Sequence, residues 1–360
     1  MIDVEALPSE SFARFELSAS SAGRTEPSVL LNRLPPHALE KIEASHPESR
    51  EYLVWLREPV VTGRLSIVSL ESGAFAPSTL ESDFAHPERL HRPQEMPRLA
   101  GTALCIAYRH AANYFHWTYQ SFAGLLDMQA AGLSTDRILS NPINAWQRRS
   151  LELAGVDPQR CFELAPEASV RVERLLYSAF VSRRSVNRPT ARHIGLFEAL
   201  ADRVCGARRE SGSGERIYVC RLNAKRRRIE NEAEICALVE RYGFEVVDTE
   251  GMTVDDQIRL FASARHVVAP HGAGLVNLLY ARRCDSVTEL LQAGNYNQCM
   301  FRICQAKGIA HYSLQADCVR PGTSEEDWRV VSRVDPELLE RHLQRLVPRA
   351  LHGPDRSAAA

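Results

Sequence analysis

The sequence predicts an α/β fold in which a parallel sheet carries helices on both of its faces. From residue 216 onward, short apolar runs alternate with stretches of helical period, which is typical of βαβ units. One such run, SVTELL at 286–291, is largely apolar, as expected for a strand buried on both faces. Two of the helical stretches open with a polar cap residue followed by an acid three positions later. These pairs are Asn231 with Glu234 and Thr253 with Asp256.

Length and composition limit the class of protein. The chain has 360 residues, which is long for one compact core and predicts two domains. Hydrophobic residues make up 44% and charged residues 25%, the usual proportions of a globular protein, and a formal net charge of −1 gives no general attraction to nucleic acid. The start, MIDVEALPSE, lacks the regions of an export signal, and no apolar run approaches the roughly 18 residues of a membrane span. We therefore expect a cytoplasmic protein, and peripheral contact with a membrane stays open.

The nine cysteines indicate reduced thiols rather than a disulfide framework. They are scattered along the chain, their number is odd, and none forms a CxxC pair. Several lie inside apolar runs, where cysteine behaves as a small hydrophobic residue. The spacing of a zinc site is missing, so we expect no metal centre.

The N-terminal half begins with a stretch that is difficult to interpret. Alternating and β-branched segments between 52 and 77 predict short strands and turns, and a later strand should end near Tyr108. An amphipathic helix should follow and end near Gly132, because large apolar residues recur there at helical spacing. These residues are Phe115, Tyr119, Phe122 and Leu126.

The C-terminal half shows a regular alternation of elements. A connection at 183–189 and a helix at 191–209 precede a flexible loop, ESGSGE. Strands are then expected at 216–221, 244–249, 266–271 and 286–291, and helices at 231–243, 253–264, 274–282 and 335–351.

The segment PHGAG joins a predicted strand to a predicted helix. In an open α/β sheet, ligands bind outside the carboxyl ends of the strands, and a helix N-terminus there attracts phosphate. His271, Gly272, Ala273 and Gly274 therefore fit a turn around a phosphate group, with the glycines allowing close approach and His271 donating a hydrogen bond. Asn277 stands where a dinucleotide motif has its third glycine, and no P-loop lysine is present. A tight structural turn with a capping histidine is the alternative.

Two neighbouring features favour an anion site. Strand 216–221 ends at Arg221, and the basic run KRRR at 225–228 precedes a helix N-terminus, where the helix dipole prefers anions. Bound phosphate would relieve that conflict, whereas a solvated basic loop is the ordinary alternative. Glu289 interrupts an apolar strand, so it should be exposed at the ligand cleft or paired. Hydrogen bonds to ribose hydroxyls would explain Glu289, and an edge-strand position is the alternative.

Together these segments resemble glycosyltransferase family 61. The resemblance covers roughly residues 105 to 315 and rests on four blocks in the same order and spacing, with NYFHW at 113–117 as an upstream match. The blocks are VCRLNAKRRRIENEAEI, TVDDQIRLFASARHVVAPHGAGLVNLLYA, SVTELL and NYNQCMFRICQAKGIAHYSL.

This resemblance implies a GT-B-like fold, with two Rossmann-like domains facing across a cleft. The acceptor-side domain would span 1–185, the nucleotide-sugar domain 186–320, and a C-terminal helix and tail 321–360. Members are inverting and generally independent of metal, and bacterial relatives often act in capsule or other surface-polysaccharide synthesis.

The resemblance also implies roles for particular residues. Without a metal, the charge of the leaving diphosphate must be neutralised by arginines and helix N-terminal amides. We expect Arg221, Arg228, His271 and the turn amides to do this, with Arg228 favoured over its basic neighbours. Asn277 could support the turn or reach the ligand. Asn295 and Tyr296 are candidates for the nucleoside pocket.

His116 is the candidate general base. It begins a helix in the acceptor-side domain and titrates near neutral pH. The family often has an acid four residues later, where this chain has Gln120 on the same helix face. Asp127 lies roughly 16 Å further along the helix and cannot pair with His116. A buried histidine that fixes the helix start, with Asn113 as cap, is the alternative.

The function expected is an inverting, metal-independent transfer of a sugar from a nucleotide-diphosphate donor, on family grounds a UDP-sugar, to a hydroxyl of a glycan or glycolipid acceptor. No nucleic acid partner or cofactor is expected. The protein would be cytoplasmic, with peripheral association at the inner membrane left open. Two alternatives remain: a nucleotide-binding scaffold of the same fold without catalysis, and an NAD-dependent Rossmann enzyme.

Overall fold

A computed structural model of the chain describes most of its central and C-terminal residues. The described residues are 12–19, 29–30, 50–63, 68–69, 96–178, 189–206, 214–223, 227–294, 297–321 and 330–347. The chain divides into two compact units. Unit 1 comprises 1–24 and 46–200, and unit 2 comprises 25–45 and 201–360.

Unit 1 contains a mixed sheet of eight strands. Its strands are β1 (Phe12–Ala19), β3 (Arg50–Arg57), β4 (Val60–Thr62), β5 (Val68–Ser69), β6 (Arg98–Cys105), β7 (Arg137–Ser140), β8 (Cys161–Glu163) and β9 (Ser169–Ser178). The main path runs β1-β3-β9-β6-β7-β8. β9, β6, β7 and β8 are mutually parallel, whereas β1, β3 and β9 pair antiparallel. The short strands expected in the first hundred residues are confirmed where the structure describes them.

A continuous helix, α1, connects β6 to β7 in unit 1. It consists of α-helical Tyr114–His116, π-helical Trp117–Phe122 and α-helical Ala123–Ala130. The Asn113 side chain caps it by accepting hydrogen bonds from the amides of Phe115 and His116, which confirms the expected cap. Residues 117–128 are all buried, so α1 is a core helix rather than the amphipathic helix that the sequence predicted.

Two further helices follow, of which the second begins in unit 1 and ends at residue 205, beyond the boundary of unit 1 at residue 200. The first, α2 (Ala145–Leu153), follows β7 and begins with a capping box between Asn144 and Gln147. The second, α3 (Ala191–Cys205), follows β9, and its Phe197 ring lies 6.3 Å from the Phe122 ring of α1. Both rings are fully buried and belong to the core of unit 1.

The connections of unit 1 reverse direction at β6. From β6 the chain moves through α1 and α2 to β7 and β8 on one side, and it then returns to β9 on the other side. In sheets of this kind, ligands bind beyond the carboxyl ends of the strands where the order reverses. In unit 1 this point lies just after Cys105 of β6, next to the end of β9.

Unit 2 contains a fully parallel sheet of six strands. They are β2 (Val29–Leu30), β10 (Arg216–Val219), β12 (Glu245–Val247), β13 (His266–Pro270), β14 (Ser286–Leu291) and β15 (Ala310–Gln315), in the order β12-β10-β13-β14-β15-β2. The expected parallel sheet is confirmed. The order reverses between β10 and β13, because β12 lies on one side of β10 and the later strands on the other.

Helices connect the strands of unit 2. They are α4 (Glu232–Glu240), α5 (Val254–Ser263), α6 (Cys299–Lys307) and α7 (Pro336–Leu346), with 3-10 helices at Thr249–Gly251 and Ala273–Tyr280. The helix expected after the PHGAG turn is therefore a 3-10 helix. Its residues 275–280 are all buried, so packing rather than helical propensity sets its conformation.

One of the two predicted helix caps is confirmed. Thr253 caps α5, since its hydroxyl accepts a hydrogen bond from the Asp256 amide at 3.2 Å. Asn231 stands at the start of α4 but makes no capping hydrogen bond with its side chain. Instead, the Asn231 amide group donates to the Val334 carbonyl at 2.9 Å and accepts from the Val334 amide at 3.1 Å.

The C-terminal segment is part of the core of unit 2. A small sheet joins β11 (Arg228–Ile229), β17 (Val331–Arg333) and β16 (Asp317–Arg320), with β17 in the middle. Apolar residues of α7 and its flanks pack in one cluster with the apolar face of α4. From the C-terminal segment these are Val334, Leu339, Leu343 and Val347. Burial of such side chains contributes about 1.5–3 kcal/mol each.

Candidate functional site

The PHGAG turn lies at the carboxyl end of β13, at the point where the strand order of unit 2 reverses. Gly272 has φ −174°, an extended conformation open to any residue, so space rather than backbone freedom explains the glycine. A Cβ atom on Gly272 would lie 3.1 Å from Nη1 of Arg221. A Cβ atom on Gly274 would lie 3.2 Å from Oγ1 of Thr249, which follows β12. The two glycines thus allow side chains from neighbouring strand ends to lie against the turn.

Arg221 follows β10 and lies against this turn. Its Nη1 donates to the carbonyl oxygen of His271 at 2.8 Å, and burial lowers the pKa of its guanidinium. The turn also carries the amides at the start of a helix, which have a partial positive charge. A half-buried cation beside these amides produces a local excess of positive charge, which suits an anionic ligand.

Glu232 fixes the backbone from which Arg221 projects. One of its carboxylate oxygens accepts from the Arg221 amide at 2.6 Å and from the Tyr218 hydroxyl at 3.2 Å. Only 3% of Glu232 is exposed, and burial raises the pKa of its carboxyl. Glu232 lies within the helix predicted at 231–243, and its buried position depends on the tertiary fold.

Glu289 is buried between two histidines. Its Oε1 lies 2.5 Å from Nδ1 of His271, and its Oε2 lies 3.0 Å from Nε2 of His311 on β15. Burial alone would raise the pKa of Glu289, but the charges and hydrogen bonds of the two histidines lower it to about 2. The sequence predicted that Glu289 is either exposed at the ligand cleft or paired, and the structure shows it paired. Both oxygens are engaged by histidines rather than directed to a ribose.

The basic run before α4 contributes Arg227 to the surroundings of Arg221. Arg227 adopts φ 56°, an uncommon conformation for a residue with a side chain, and is half-buried. Burial and the nearby charge of Arg221 lower its pKa to about 10. Arg228, which the sequence favoured, is exposed, and its backbone pairs with Val331. The structure thus favours Arg227 as the neighbour of Arg221, while a ligand contact of Arg228 stays a prediction.

Asn277 supports the turn from within the core. It is fully buried, and its Nδ2 donates to Gln257 of α5 at 2.9 Å. Gln257 in turn donates to the carbonyl of Thr249 at 3.1 Å. Of the two roles considered for Asn277, these contacts correspond to support of the turn. Asn295 and Tyr296, the candidates for the nucleoside pocket, lie outside the described residues.

A second cluster of polar aromatic side chains lies in unit 1, beyond the carboxyl end of β6. His116 Nδ1 lies 2.5 Å from Oε1 of Gln120, and the His116 ring packs 5.1 Å from the ring of His110 and 5.6 Å from that of Tyr108. The expected placement of Gln120 on the same helix face is confirmed. Because an amide oxygen only accepts hydrogen bonds, His116 donates from Nδ1 in this contact, and a neutral ring would then have its lone pair on Nε2.

Asp127 has a separate role in unit 1. It is fully buried, pairs with Arg192, and accepts from Nε2 of His193 at 3.1 Å. Burial would raise the pKa of Asp127, but the charges and hydrogen bonds of these two partners lower it. Asp127 therefore joins α1 to α3, and the expectation that it does not pair with His116 agrees with these contacts.

Residues 114–288 match the family model described as Glycosyltransferase 61. The protein is a glycosyltransferase of family 61. No curated protein matches the chain. The segment of the glycosyltransferase that matches contains His116, Arg221 and the whole PHGAG turn. It ends at residue 288, so Glu289 and His311 lie beyond it.

Three residues of the glycosyltransferase that surround the predicted site were not selected from the sequence. Thr249 follows a strand without a motif, and Arg227 belongs to a run of like residues in which backbone conformation and burial distinguish it from the next residue, Arg228. One sequence signal could have identified His311, because it lies within the last block of the family resemblance.

Two general features of the glycosyltransferase concern metals and membranes. Within the described ranges, no group of three or more His, Cys, Asp or Glu side chains could hold a metal ion. None of the described helices combines the length and the apolar character needed to cross a membrane.

Proposed function

We propose that this glycosyltransferase moves a sugar from a nucleotide-diphosphate donor, a UDP-sugar, to a hydroxyl of a glycan or glycolipid acceptor, with inversion and without metal. The observation that carries the proposal is the contact of Arg221 with the PHGAG turn where the unit 2 sheet reverses its order. This is the location at which open α/β sheets bind nucleotides. The turn and the cation also lie within the segment that matches the family.

On the donor side, the ligand's diphosphate would lie between the turn amides and the arginines. Amides at a helix start and a half-buried guanidinium stabilise the negative charge that develops on the departing nucleoside diphosphate. Gly272 and Gly274 leave room for Arg221 and Thr249 beside that charge. In this proposal Arg221 and His271 contact the diphosphate, and Glu289 orients His271.

On the acceptor side, His116 would remove the proton from the attacking hydroxyl. A general base needs a lone pair directed at the substrate, and the contact with Gln120 leaves that lone pair on Nε2. Gln120 therefore stands where the family often has an acid and serves as an orienting group, without the negative charge of a carboxylate. The cluster lies at the order reversal of the unit 1 sheet, where a ligand is expected.

The remaining parts of the proposal follow from the family. The two units would form a GT-B arrangement with the substrates in the cleft between them. The acceptor would be a surface polysaccharide or its lipid-linked precursor, and the enzyme would act in the cytoplasm, in peripheral contact with the inner membrane.

Calorimetric titration with UDP, GDP, CMP and NAD, each in EDTA, tests the donor site. The proposal expects one nucleoside diphosphate, UDP, to bind with a micromolar Kd. Arg221→Ala should weaken that binding at least tenfold, while His266→Gln, at the opposite end of β13, should leave it unchanged. Binding of NAD alone would favour the Rossmann alternative, and no binding of any nucleotide would contradict the proposal.

Turnover separates the enzyme from a scaffold of the same fold. With a panel of UDP-sugars and hydroxyl acceptors, His116→Ala should lower kcat by roughly 10²–10⁴-fold, the usual contribution of a general base. The UDP Kd of this variant should match that of the wild type. If His116→Ala lowered UDP affinity by the same factor as kcat, His116 would have a structural role. Tight UDP binding without transfer to any acceptor would favour the scaffold.

A further inference from the structure

Glu232 is a buried acid at the edge of the unit 2 sheet where the donor site is proposed. It is the first residue of α4 and has only 3% of its surface exposed. Acidic side chains are seldom buried to this degree unless they are paired. The hydrogen bonds that Glu232 makes within the protein account for only one of its two carboxylate oxygens.

The two oxygens of Glu232 have different surroundings. Oε1 accepts from the Arg221 amide at 2.6 Å and from the Tyr218 hydroxyl at 3.2 Å. Oε2 accepts no hydrogen bond from the residues that the structure describes, and protein atoms do not fully enclose it. One oxygen is therefore held by the fold, while the other keeps its lone pairs for a group from outside the protein.

Charge restricts the kind of group that Oε2 can bind. Asp248 lies near Glu232, and both burial and the Asp248 charge raise the pKa of the Glu232 carboxyl. The hydrogen bonds to Oε1 act in the opposite direction, because they stabilise the ionised form. An ionised carboxylate only accepts hydrogen bonds and repels phosphate, so its partner must be a hydrogen-bond donor without negative charge. In a nucleotide sugar, the hydroxyl groups of the two sugar rings are the donors nearest to the diphosphate.

Arg221 relates this carboxylate to the proposed position of the diphosphate. Its amide donates to Glu232, whereas its Nη1 donates to the His271 carbonyl at 2.8 Å. The length of one arginine side chain thus separates the contact with Glu232 from the contact with the PHGAG turn. Because both sugars of the donor are bonded directly to the diphosphate, a hydroxyl of either ring can reach a carboxylate placed in this way.

We propose that Oε2 of Glu232 accepts a hydrogen bond from a sugar hydroxyl of the bound donor, which makes Glu232 a determinant of donor specificity. The hydroxyl belongs to the ribose or to the transferred sugar, since both rings offer the same chemistry. The inference rests on the proposed function, because it assumes that a nucleotide sugar occupies the turn. It assigns to Glu232 the hydroxyl contact that the sequence suggested for Glu289.

Titration calorimetry of the full chain tests the inference with ligands that lack one hydroxyl or one sugar. At about pH 8, in EDTA, the Kd of UDP is compared with those of 2′-deoxy-UDP, 3′-deoxy-UDP, UDP-glucose, UDP-xylose and UDP-N-acetylglucosamine. A site that hydrogen-bonds a substrate hydroxyl rejects the analogue without it, because its own polar group is then left unpaired. For a ribose contact, the wild type should bind one deoxy analogue about tenfold more weakly than UDP. For a contact with the transferred sugar, one UDP-sugar should bind about tenfold more tightly than UDP.

Glu232→Gln isolates the oxygen concerned. Glutamine can keep its carbonyl oxygen at the Oε1 position, which retains the contacts with Arg221 and Tyr218, while its NH2 group at the Oε2 position donates instead of accepting. The preference for the ligand that has the hydroxyl should therefore be lost. The control Glu250→Gln also removes a negative charge near Arg221, from an exposed side chain, and should keep the preference. Circular dichroism would show whether both variants are folded.

The outcomes separate this inference from the proposed function. Loss of the preference in folded Glu232→Gln would support the inference, and the ligand pair affected would assign the contact to the ribose or to the transferred sugar. A preference that persists in this variant would overturn it, even if the affinity for every ligand fell, since that is the result of a purely structural role. Should the variant not fold, equal Kd values for all ligands in the wild type would still overturn the inference. Failure of UDP to bind would instead contradict the proposed function.

Discussion

The replacement Glu289→Gln should destabilise unit 2 in a manner that depends on pH. Glutamine keeps the shape of the side chain and resembles its protonated form, but it lacks the charge that both histidines contact. Only one of its terminal atoms can accept a hydrogen bond, so one of the two contacts at 2.5 Å and 3.0 Å is lost or reversed.

The expected size of the effect follows from the pKa of Glu289. Folding lowers it from 4.5 to about 2, and because the side chain is completely buried, solvent does not weaken this interaction. At about 1.4 kcal/mol per pKa unit, the ionised form contributes about 3 kcal/mol to stability at pH 7. A lowered pKa in the folded state means that this contribution is complete above about pH 4.5. It declines to about 1 kcal/mol near pH 3 and is lost as pH falls through 2.

Urea unfolding of wild type and Glu289→Gln at several pH values measures this contribution. The variant should be about 3 kcal/mol less stable at pH 7, which corresponds to a Tm lower by roughly 6–12 °C in a unit of this size. The difference in unfolding free energy between wild type and variant should decrease below pH 4. Glu232→Gln is the matched control, and its effect on the free energy of unfolding should have the opposite sign. Burial raises the pKa of Glu232, so the charged form of this carboxyl is the less favoured one. Equal stability of wild type and Glu289→Gln at pH 7 would refute this reasoning.

Three further replacements test other parts of the structure. Gly272→Ala should weaken UDP binding about tenfold with little loss of stability, because the new Cβ would displace the flexible end of Arg221. The control is Gly195→Ala, where the new Cβ meets nothing within 4 Å. It should leave UDP binding unchanged and raise stability by about 0.5 kcal/mol. An unchanged Kd in the first variant would show that Arg221 does not contact the ligand. Thr253→Ala should cost about 1 kcal/mol in urea unfolding, since it removes the cap of α5, and a Thr253→Ser variant should recover most of that stability. Asp127→Asn should lower the stability of unit 1 by about 3 kcal/mol in thermal unfolding, because it leaves the largely buried Arg192 guanidinium without its anion. A Tm within 2 °C of wild type would count against that pairing.

The regular half of the fold was predictable because its local signals agree with one another. The four strands expected between 216 and 291 are present, and Thr253 marks the start of α5 as its sequence suggested. Each of these segments has a clear period and a clear boundary. The π-helical stretch of α1 and the 3-10 helix after the PHGAG turn were not predictable in this way. Both are buried, so tertiary packing sets their backbone conformation.

The candidate site could be predicted in part. Arg221 and the PHGAG turn were identifiable because a strand end and a glycine turn each leave a local pattern, and the parallel sheet then brings them to the same edge. The partner of Glu289 was not identifiable, because His271 and His311 meet it only through strand register. The sequence favoured Arg228 over Arg227, but a run of like residues gives no information on which side chain is buried, and Arg227 is the half-buried one of the two.

The pairing of Asn231 with Val334 has a consequence for how this enzyme can be divided. Through these two hydrogen bonds and the pairing of β11 with β17, a segment more than a hundred positions later holds the start of α4 in place. A fragment limited to residues 114–288, which match the family, would lack these contacts of Asn231 and β11. It would also lack Glu289 and His311. Grafting the PHGAG turn into another host would transfer the motif without the partners that shape it. A portable form of the proposed donor site would therefore have to include the chain from β10 to α7.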